Sequence, residues 1–363
     1  MTPAPCQPPD RLPVIAQARR ALLDEARAAG TEDAIETWIA SSWQRCLARG
    51  QRPHDAVGFD LVSRSALRSS ADTNRALGQA ARPVLADLDR AIAPTRYFSL
   101  LTDARGIVVS VGATADAAVP AVHAIARPGV DLSEHSVGTT AISAALGERH
   151  PVWLHRGEHF FEATSVYSCA GAPIFGPDGQ LAGMLDVTGV LADERPALRH
   201  LTAQMAQRIE AGLLLALPRR HLLRVQWPGA DTPAGAGLLA VDAEGQIVGA
   251  DRAARAMLSL RWAGPGQRFG PLDACFATPV GRLLGLRGDG PALAVPLWSG
   301  LHALVASVDA PAGPGQPARW REAETRLIRD AIDAAHGNVA RAAQQLGISR
   351  ATMYRRLAAL RRR

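Results

Sequence analysis

Residues 337–357 read GNVARAAQQLGISRATMYRRL and decide the predicted fold of the C-terminal part of the chain. Asn338 suits the N-cap of one helix and Ser349 the N-cap of the next, because both side chains can accept a backbone N–H. Gly347 ends the first of these helices, since glycine adopts the left-handed conformation of a helix C-cap without strain. Two helices joined by about three residues that include a glycine are typical of a helix-turn-helix.

A further helix is predicted before this pair. Apolar residues recur at helical spacing over Glu322–His336, so this helix buries one face, which includes Ala335. The first helix of the pair is expected to bury Ala343 in the same way. Together the three helices predict an all-α domain over residues 320–363.

The positive charge of the chain is concentrated in this domain. All 40 basic residues are arginines. Residues 319–363 hold 11 of them against four acidic residues, a net charge of +7, whereas residues 1–318 hold 29 against 30, a net charge of −1. Such a localised positive patch predicts binding to a polyanion, nucleic acid first. A sequence without lysine excludes a P-loop NTPase, a protein kinase of the usual type and a Schiff-base enzyme.

The last helix carries the predicted DNA contacts. The first residues of a recognition helix meet base edges in the major groove, so Ser349 and Arg350 are expected to contact bases. Arginine suits bidentate contact with guanine O6 and N7. The side chains expected to hold phosphates are Arg341, Thr352, Tyr354, Arg355 and Arg356. The alternative is a three-helix bundle with a solvated basic face, but the turn, the spacing and the confined charge all favour the helix-turn-helix.

The same stretch closely resembles the helix-turn-helix of the Fis-type family. Gly-Asn, Ala-Ala, Leu-Gly-Ile, the arginine after it, Thr and Tyr recur in that family at these spacings. The resemblance covers about 40 residues. It implies a homodimer that binds a palindromic site on double-stranded DNA.

Three hairpin-like segments predict antiparallel sheet earlier in the chain. Each has two short apolar strands around a turn that contains Asp and Gly, which hairpin turns favour. The turns are centred on Asp103–Gly106, Pro177–Gly179 and Asp242–Gly245. Helical spacing predicts single helices over His135–Leu146 and Arg195–His221.

These patterns predict a multidomain α+β fold. Residues 1–80 are expected to form an N-terminal helical segment, and residues 81–224 an α/β sensor domain with a long C-terminal helix. Residues 236–309 are expected to form a second α+β domain. The stretch 310–319 alternates Pro and Gly without an apolar face and is predicted to link it to the helix-turn-helix domain.

Five motifs follow one another between these segments: SWQRCLARG, LTDARG, LSEHSVGTTAISAAL, GEHFF and SCAGAPIFGPDGQLAGMLDVTG. In this order they resemble the N-terminal sensory region of the acetoin/glycerol-metabolism type of bacterial enhancer-binding regulators, over roughly residues 38–215. The resemblance implies that residues 81–224 form a GAF-like domain that binds a small molecule. The sequence departs from the family at Thr140, where an Asn is usual.

Residues 236–309 resemble a PAS domain, which often follows GAF in these regulators. Both folds imply an antiparallel sheet with helices on one side that hold a small molecule over the sheet. The family normally places an AAA+ ATPase, which contacts sigma-54, before the Fis-type helix-turn-helix. Here about 13 residues separate the PAS-like block from the first DNA-binding helix. The resemblance therefore implies sensing and DNA binding without the sigma-54 interaction domain and its ATPase activity.

The small-molecule site is expected near three segments of the GAF-like domain. The residues expected to contact the ligand are Glu134, His135, Thr139, Thr140, Glu158, His159 and Cys169. His155 and His159 also form an H-x-x-E-H pattern with Glu158, and on a helix the two histidines would face one metal ion. The strand-like residues before the pattern and the glycine inside it favour a turn, so no metal site and no catalytic residue are predicted.

We therefore expect a transcriptional regulator without enzymatic activity that responds to an unidentified small-molecule effector and has no cofactor. Its expected partners are double-stranded DNA, a second copy of itself and RNA polymerase or a full-length regulator. A cytoplasmic location is expected, because the sequence has neither a signal peptide pattern nor a membrane-spanning apolar run. The alternatives are a motor-less partner of full-length sigma-54-dependent regulators, an architectural DNA-binding protein and a metal-dependent hydrolase.

Overall fold

A computed structural model of the chain describes residues 11–24, 35–113, 115–229, 235–261, 268–288 and 291–308, together with residues 335, 338, 339, 341 and 343. The chain divides into two compact units, Met1–Val308 and Asp309–Arg363. The first unit contains two antiparallel sheets with helices between their strands, so the predicted multidomain α+β class is confirmed. None of the described helices is long and apolar enough to cross a membrane.

The first sheet has five antiparallel strands in the order β2-β1-β5-β4-β3. These strands are β1 (Tyr97–Asp103), β2 (Val108–Val111), β3 (Val152–His155), β4 (Tyr167–Phe175) and β5 (Leu181–Val190). The predicted hairpin turns join β1 to β2 and β4 to β5. In the first turn Asp103 Oδ1 accepts the backbone N–H groups of Arg105 and Ile107, at 2.9 and 3.0 Å. The aspartate therefore fixes the turn from its own side chain.

The helices of this part of the chain come before, within and after the sheet. They are α1 (Leu12–Arg19), α2 (Thr37–Ala48), α3 (Arg64–Thr73), α4 (Arg75–Ile92), α5 (Pro120–Ile125), α6 (Glu134–Val137), α7 (Ala141–Glu148) and α8 (Leu198–Leu215). Helices were expected on one side of this sheet only. This prediction is wrong, because helices cover both of its faces. One core contains α2, α7 and side chains such as Cys169, while α4 and α8 pack on the opposite face with side chains such as Ala170. Successive residues of a strand point to opposite faces, so both faces of β4 are buried.

The prediction of one continuous helix over His135–Leu146 is wrong. The chain forms two helices here, α6 and α7, with a break at residues 138–140. Gly138 has φ 65° and ψ −152°, a conformation that only glycine adopts without strain. Thr140 then caps α7: its side chain accepts the N–H of Ser143, whose hydroxyl accepts the N–H of Thr140. This reciprocal cap starts a new helix where helical spacing alone predicts continuity.

The second sheet has six antiparallel strands in the order β10-β11-β6-β7-β8-β9. They are β6 (His221–Gln226), β7 (Gly237–Val241), β8 (Gln246–Ala250), β9 (Gly270–Pro271), β10 (Leu293–Pro296) and β11 (His302–Ser307), with helices α9 (Arg252–Met257) and α10 (Val280–Leu284). The predicted turn at Asp242–Gly245 joins β7 to β8. The buried residues on these elements form a separate third core.

Two expected domain boundaries fall inside elements of the structure. Residue 80 lies within α4, and residue 224 lies within β6. The helix predicted to run to His221 ends at Leu215, three residues before Pro218, and β6 pairs with β7 and β11. Residues 221–224 therefore belong to the second sheet. The N-terminal helices are not a separate segment either, because α2 buries Ile39 and Trp43 in the core of the first sheet.

Candidate functional site

A small cavity of about 30 Å³ lies on the face of the first sheet that carries α7. Its apolar wall includes Phe59, Ile125, Leu132, Val137 and Ile142. Its polar side chains come from Thr140, His159, Thr164, Tyr167, Cys169, Asp186 and Thr188. Gly171 lets α7 approach the sheet here, because a Cβ at this position would lie 2.6 Å from the Ala141 carbonyl oxygen. The cavity is thus built where a helix N-terminus meets two central strands.

His159 and Cys169 form a neutral pair at one side of the cavity. His159 Nδ1 lies 2.9 Å from the Arg156 carbonyl, which can only accept, so Nδ1 carries the proton and Nε2 is free to accept. The Cys169 thiol lies 3.6 Å from Nε2 and donates to it. Burial lowers the pKa of His159 to about 4 and raises that of Cys169 well above its usual value. Near pH 7 the pair offers neither a thiolate nor a histidinium, which does not suit nucleophilic catalysis.

Asp186 lies on β5 and is fully buried in the cavity wall. Thr188 donates its hydroxyl hydrogen to Asp186 Oδ2. The other carboxyl oxygen, Oδ1, has no hydrogen-bond partner among the described residues. Burial raises the pKa of Asp186 to about 7. Asp186 is therefore a cavity-lining residue with one buried carboxyl oxygen that no described residue satisfies.

Replacing Asp186 with Asn is expected to stabilise the protein increasingly as the pH rises from about 4 to about 7. When folding raises the pKa of a carboxyl group, the free energy of unfolding is highest below the unfolded-state pKa of that group. It falls as the pH rises from the unfolded-state pKa to the folded-state pKa, because in this range the group is ionised mainly in the unfolded state. Burial raises the pKa of Glu158 in the same direction, so only the difference between wild type and variant isolates Asp186. Urea unfolding at pH 5 and pH 8 should show a gain for the variant that grows by at least about 1 kcal/mol. Equal pH slopes for the two proteins would contradict this assignment.

Three of the sequence-predicted ligand residues meet in this cavity: Thr140, His159 and Cys169. Thr139 is buried beside it, where its hydroxyl is 2.7 Å from that of Ser42. Glu134, His135 and Glu158 do not line the cavity. The two glutamates form ion pairs instead, and His135 is exposed.

The most informative cavity residue, Asp186, was not predicted from the sequence. A signal was present, because LDVTG places an acidic residue at an inward position of an otherwise apolar strand. A carboxylate at such a position is costly unless it has a partner or a function. Thr188, two residues later, faces the same side of the sheet and could have been found with it.

The H-x-x-E-H pattern does not lie on one helix face. His155 ends β3 and its Nδ1 lies 2.9 Å from the Ser168 hydroxyl oxygen. A 3₁₀ turn over Arg156–Glu158 follows, and the Glu158 carboxylate pairs with Arg11 at 2.5 Å. Within the described ranges, no group of His, Cys, Asp and Glu side chains could hold a metal ion.

Helix α1 holds the segment that carries His159. Arg19 donates to the carbonyl oxygens of Gly157, His159 and Phe160. Arg11, at the start of the same helix, bridges Glu158 and Glu194 at 2.5 and 2.7 Å. The position of His159 in the cavity wall therefore depends on contacts with residues about 140 positions earlier in the chain.

The same strands that line the cavity contact the second sheet at their other end. The N–H of Ala250 donates to the Pro177 carbonyl, in the turn between β4 and β5, at 2.9 Å. Glu210 on α8 accepts the Phe175 N–H at 3.0 Å and a guanidinium hydrogen of Arg252 at 2.8 Å. Direct hydrogen bonds therefore join this end of β4 and α8 to the elements of the second sheet.

In the second unit, the described residues agree with the predicted helix boundary. Asn338 Oδ1 accepts the backbone N–H of Arg341 at 3.1 Å, which is the bond of an N-cap residue to the third residue of its helix. Ala335 and Ala343 are buried, and the Arg341 side chain is exposed. The other predicted DNA contacts lie outside the described residues: Ser349, Arg350, Thr352, Tyr354, Arg355 and Arg356.

Two regions of the chain match models of known protein families. A family model described as the N-terminal domain of MimR matches residues 13–211, more than half of the chain. The chain belongs to this MimR family. A second model, of the Fis family of bacterial regulatory proteins, matches residues 320–360. The predicted combination of a sensory region with a Fis-type helix-turn-helix is thereby confirmed.

Three curated relatives of this MimR-family chain are transcriptional regulators. The acetoin dehydrogenase operon activator AcoR of Bacillus subtilis is 29% identical over 192 residues, covering 53% of this chain and 31% of AcoR. The acetoin catabolism regulatory protein of Cupriavidus necator is 31% identical over 246 residues, covering 64% of this chain and 36% of that protein. MimR of Mycolicibacterium smegmatis, the activator of a propane 2-monooxygenase operon, is 29% identical over 181 residues, covering 49% of this chain and 30% of MimR. The chain thus spans about a third of the length of these relatives.

Among solved structures, the Escherichia coli DhaR(N)–DhaL complex contains a chain similar to this one. The TM-score is 0.46 at 14% identity, and the alignment covers 75% of this chain and 99% of that one.

Proposed function

We propose that this chain is a ligand-responsive transcriptional regulator that binds specific DNA through residues 320–363 without ATPase activity. The observation that carries the proposal is the match of residues 320–360 to the Fis family, on a chain whose larger part belongs to a family of regulators. The net charge of +7 on residues 319–363 supports contact with a polyanion. The 363 residues contain no lysine for a P-loop, which supports the proposal that this chain acts by recruiting or blocking RNA polymerase rather than by hydrolysing ATP.

The effector binds in the cavity beneath α7 and changes the preferred position of β4 and β5. The β4–β5 turn accepts a hydrogen bond from Ala250, and Phe175 donates to Glu210, which in turn accepts from Arg252. Through these contacts the change reaches the second sheet. An effector shifts the equilibrium between two positions of these strands only as far as its affinities for the two positions differ. The regulator acts as a homodimer on a palindromic site, as the Fis-type helix-turn-helix implies.

Footprinting on the DNA upstream of the protein's own gene tests the proposal. The full chain should protect a discrete site that persists as salt is raised, and a chain that ends at Pro317 should protect nothing. Full protection by the shortened chain would refute the assignment of DNA binding to residues 320–363. Diffuse coverage by the full chain would instead indicate an architectural protein, and co-purification of a longer regulator would indicate a motor-less partner.

A further inference from the structure

We infer that a groove between α4 and β2 of the first sheet, here called the α4–β2 groove, is a docking surface for an amphipathic helix of a partner protein that carries acidic residues about two turns apart. The inference goes beyond the proposed function, because the groove contains neither the cavity beneath α7 nor any residue of the predicted helix-turn-helix. It assigns a protein partner to the face of the sheet opposite that cavity.

The floor of the groove is a part of this sheet face that lacks a covering helix. On this face α8 packs on β3, β4 and β5, and α4 packs on β1. None of the described helices makes comparable contact with the edge strand β2. Val109 packs against the core beneath α4, and Ser110 pairs with Leu101 of that core, so both side chains face the α4 side of the sheet. Both are only half-buried, which leaves an open strip beside α4.

The wall of the groove is one side of α4, and its size suits a helix. Residues at helical spacing from Arg75 to Ala93 line it, and the groove has a volume of about 920 Å³. At the rise of an α-helix this stretch is about 27 Å long. Gly78, Leu85 and Ala86 lie along it, and the two small residues let a second helix axis come close.

Three arginines follow one another along this wall: Arg75, Arg82 and Arg90, seven and eight residues apart. Arg75 and Arg90 pair with Asp72 and Asp87, each three positions earlier, and these pairs are solvent-exposed, so they contribute little and can exchange partners. The exposed Arg82 has no ion pair among the described residues. A spacing of about two helical turns lets one row of acidic residues on a parallel or antiparallel helix meet all three arginines.

Asp89 is the one acidic side chain among the described residues that line the groove, and its oxygens are used within the fold. It is buried, Oδ1 accepts the Ser99 hydroxyl and Oδ2 accepts the Ala113 backbone N–H, both at 2.7 Å. Three arginines against one aspartate give the lining residues a net charge of +2. Charge complementarity therefore selects an acidic partner, and the apolar strip selects an amphipathic one.

The two other occupants fit this groove less well. In a symmetric pair of two copies α4 would meet α4, so the arginines would face like charges. None of the described helices carries three acidic residues that could meet them instead. Double-stranded DNA would contact the arginines but not the apolar floor, because its outer surface is phosphate and sugar.

Two labelled peptides of about 18 residues, which match the length of the groove, test the inference. Both have leucine and alanine along one helix face. One has glutamate, and the other lysine, at three positions beside that face that are seven and eight residues apart. Fluorescence anisotropy measures their dissociation constants from the full chain at one salt concentration. The glutamate peptide should bind at least about tenfold more tightly than the lysine peptide. If wild type binds neither peptide, or binds both equally, the inference is overturned without reference to any variant.

Arg82→Glu then places the preference in the groove. It should weaken binding of the glutamate peptide by at least about tenfold, and a lysine in place of the central glutamate of the peptide should restore binding to this variant but not to wild type. Arg68→Glu is the matched control, because Arg68 is an exposed arginine on α3 that does not line the groove. Circular dichroism checks that both variants fold. Equal effects of the two substitutions, or no restoration in folded Arg82→Glu, overturn the inference.

Two further measurements on the same proteins identify the other occupants. If Arg82→Glu weakens binding to a non-specific DNA duplex by about tenfold and leaves peptide binding unchanged, the groove contacts nucleic acid and the inference is overturned. If light scattering shows that the glutamate peptide converts a dimer into monomers, the groove is an interface between two copies, which also overturns it. A discrete DNA footprint without any peptide preference overturns the inference and leaves the proposed function standing.

Discussion

Replacing Arg350 with alanine is expected to weaken binding to the specific operator by about 1–3 kcal/mol, or about 5- to 150-fold, and to relax the base preference at one position. Arg350 is the first residue after the predicted N-cap Ser349, and side chains at this end of a recognition helix reach base edges. A guanidinium that contacts guanine O6 and N7 makes two hydrogen bonds that no other base offers together. Competition between the operator and mutated operators at one salt concentration measures the effect.

Arg341→Ala is the matched control for this prediction. The backbone N–H of Arg341 is held by Asn338 and its side chain is exposed, so its removal leaves the helix cap intact. As a phosphate contact it should weaken specific and non-specific DNA binding alike and reduce the slope of log K against log salt by about 1. If Arg350→Ala behaves in this same uniform way, Arg350 holds a phosphate and reads no base.

Gly138→Ala is expected to destabilise the first unit by at least about 2 kcal/mol, from backbone strain and overpacking together. At φ 65° and ψ −152° the chain adopts a conformation that is open only to glycine. A Cβ here would also lie 2.9 Å from Cε2 of Phe161 and 3.1 Å from Cβ of Phe160, both of which are buried. Urea unfolding followed by tryptophan fluorescence measures the loss. Because the break at Gly138 precedes Thr140 in the cavity wall, effector binding should weaken in the same variant.

Gly147→Ala makes the same chemical change nine residues later and should have the opposite sign. Gly147 lies in α7, and an added Cβ would meet nothing within 4 Å. Alanine is the better helix former, so the variant should gain about 0.4–1 kcal/mol. Equal stabilities for the two variants would show that neither the backbone conformation nor the Phe161 contact matters at Gly138.

Features encoded by neighbouring residues could be predicted from the sequence, and features that depend on distant ones could not. The turn at Asp103–Gly106 is determined by side-chain bonds within five residues, and the cap at Asn338 by a bond to the third residue of its helix. By contrast, the assignment of β6 to the second sheet depends on pairing with β11, some 80 residues later. Nothing near residue 221 specifies that partner.

The candidate site shows the same division. Thr140, His159 and Cys169 line the cavity and lie in motifs that resemble a known sensory region, and their contact with an effector stays a prediction. Glu134 and Glu158 lie in the same motifs, but they form ion pairs with Arg45 on α2 and with Arg11, the residue before α1, which local patterns do not reveal. Asp186 was missed because a single acidic residue in a strand does not by itself indicate a cavity. The other residues of the cavity wall come from distant parts of the sequence.

The attachment of α1 to the segment around His159 has a practical consequence for expressing and engineering the protein. An affinity tag, fluorescent fusion or deletion that disturbs Arg11 or Arg19 would remove the bonds that hold residues 157–160. We expect such a change to alter the inducer concentration needed for a response, although residues 320–363 are unchanged. Reporter strains built on this chain should therefore leave residues 11–19 unaltered and carry their labels on an exposed turn elsewhere.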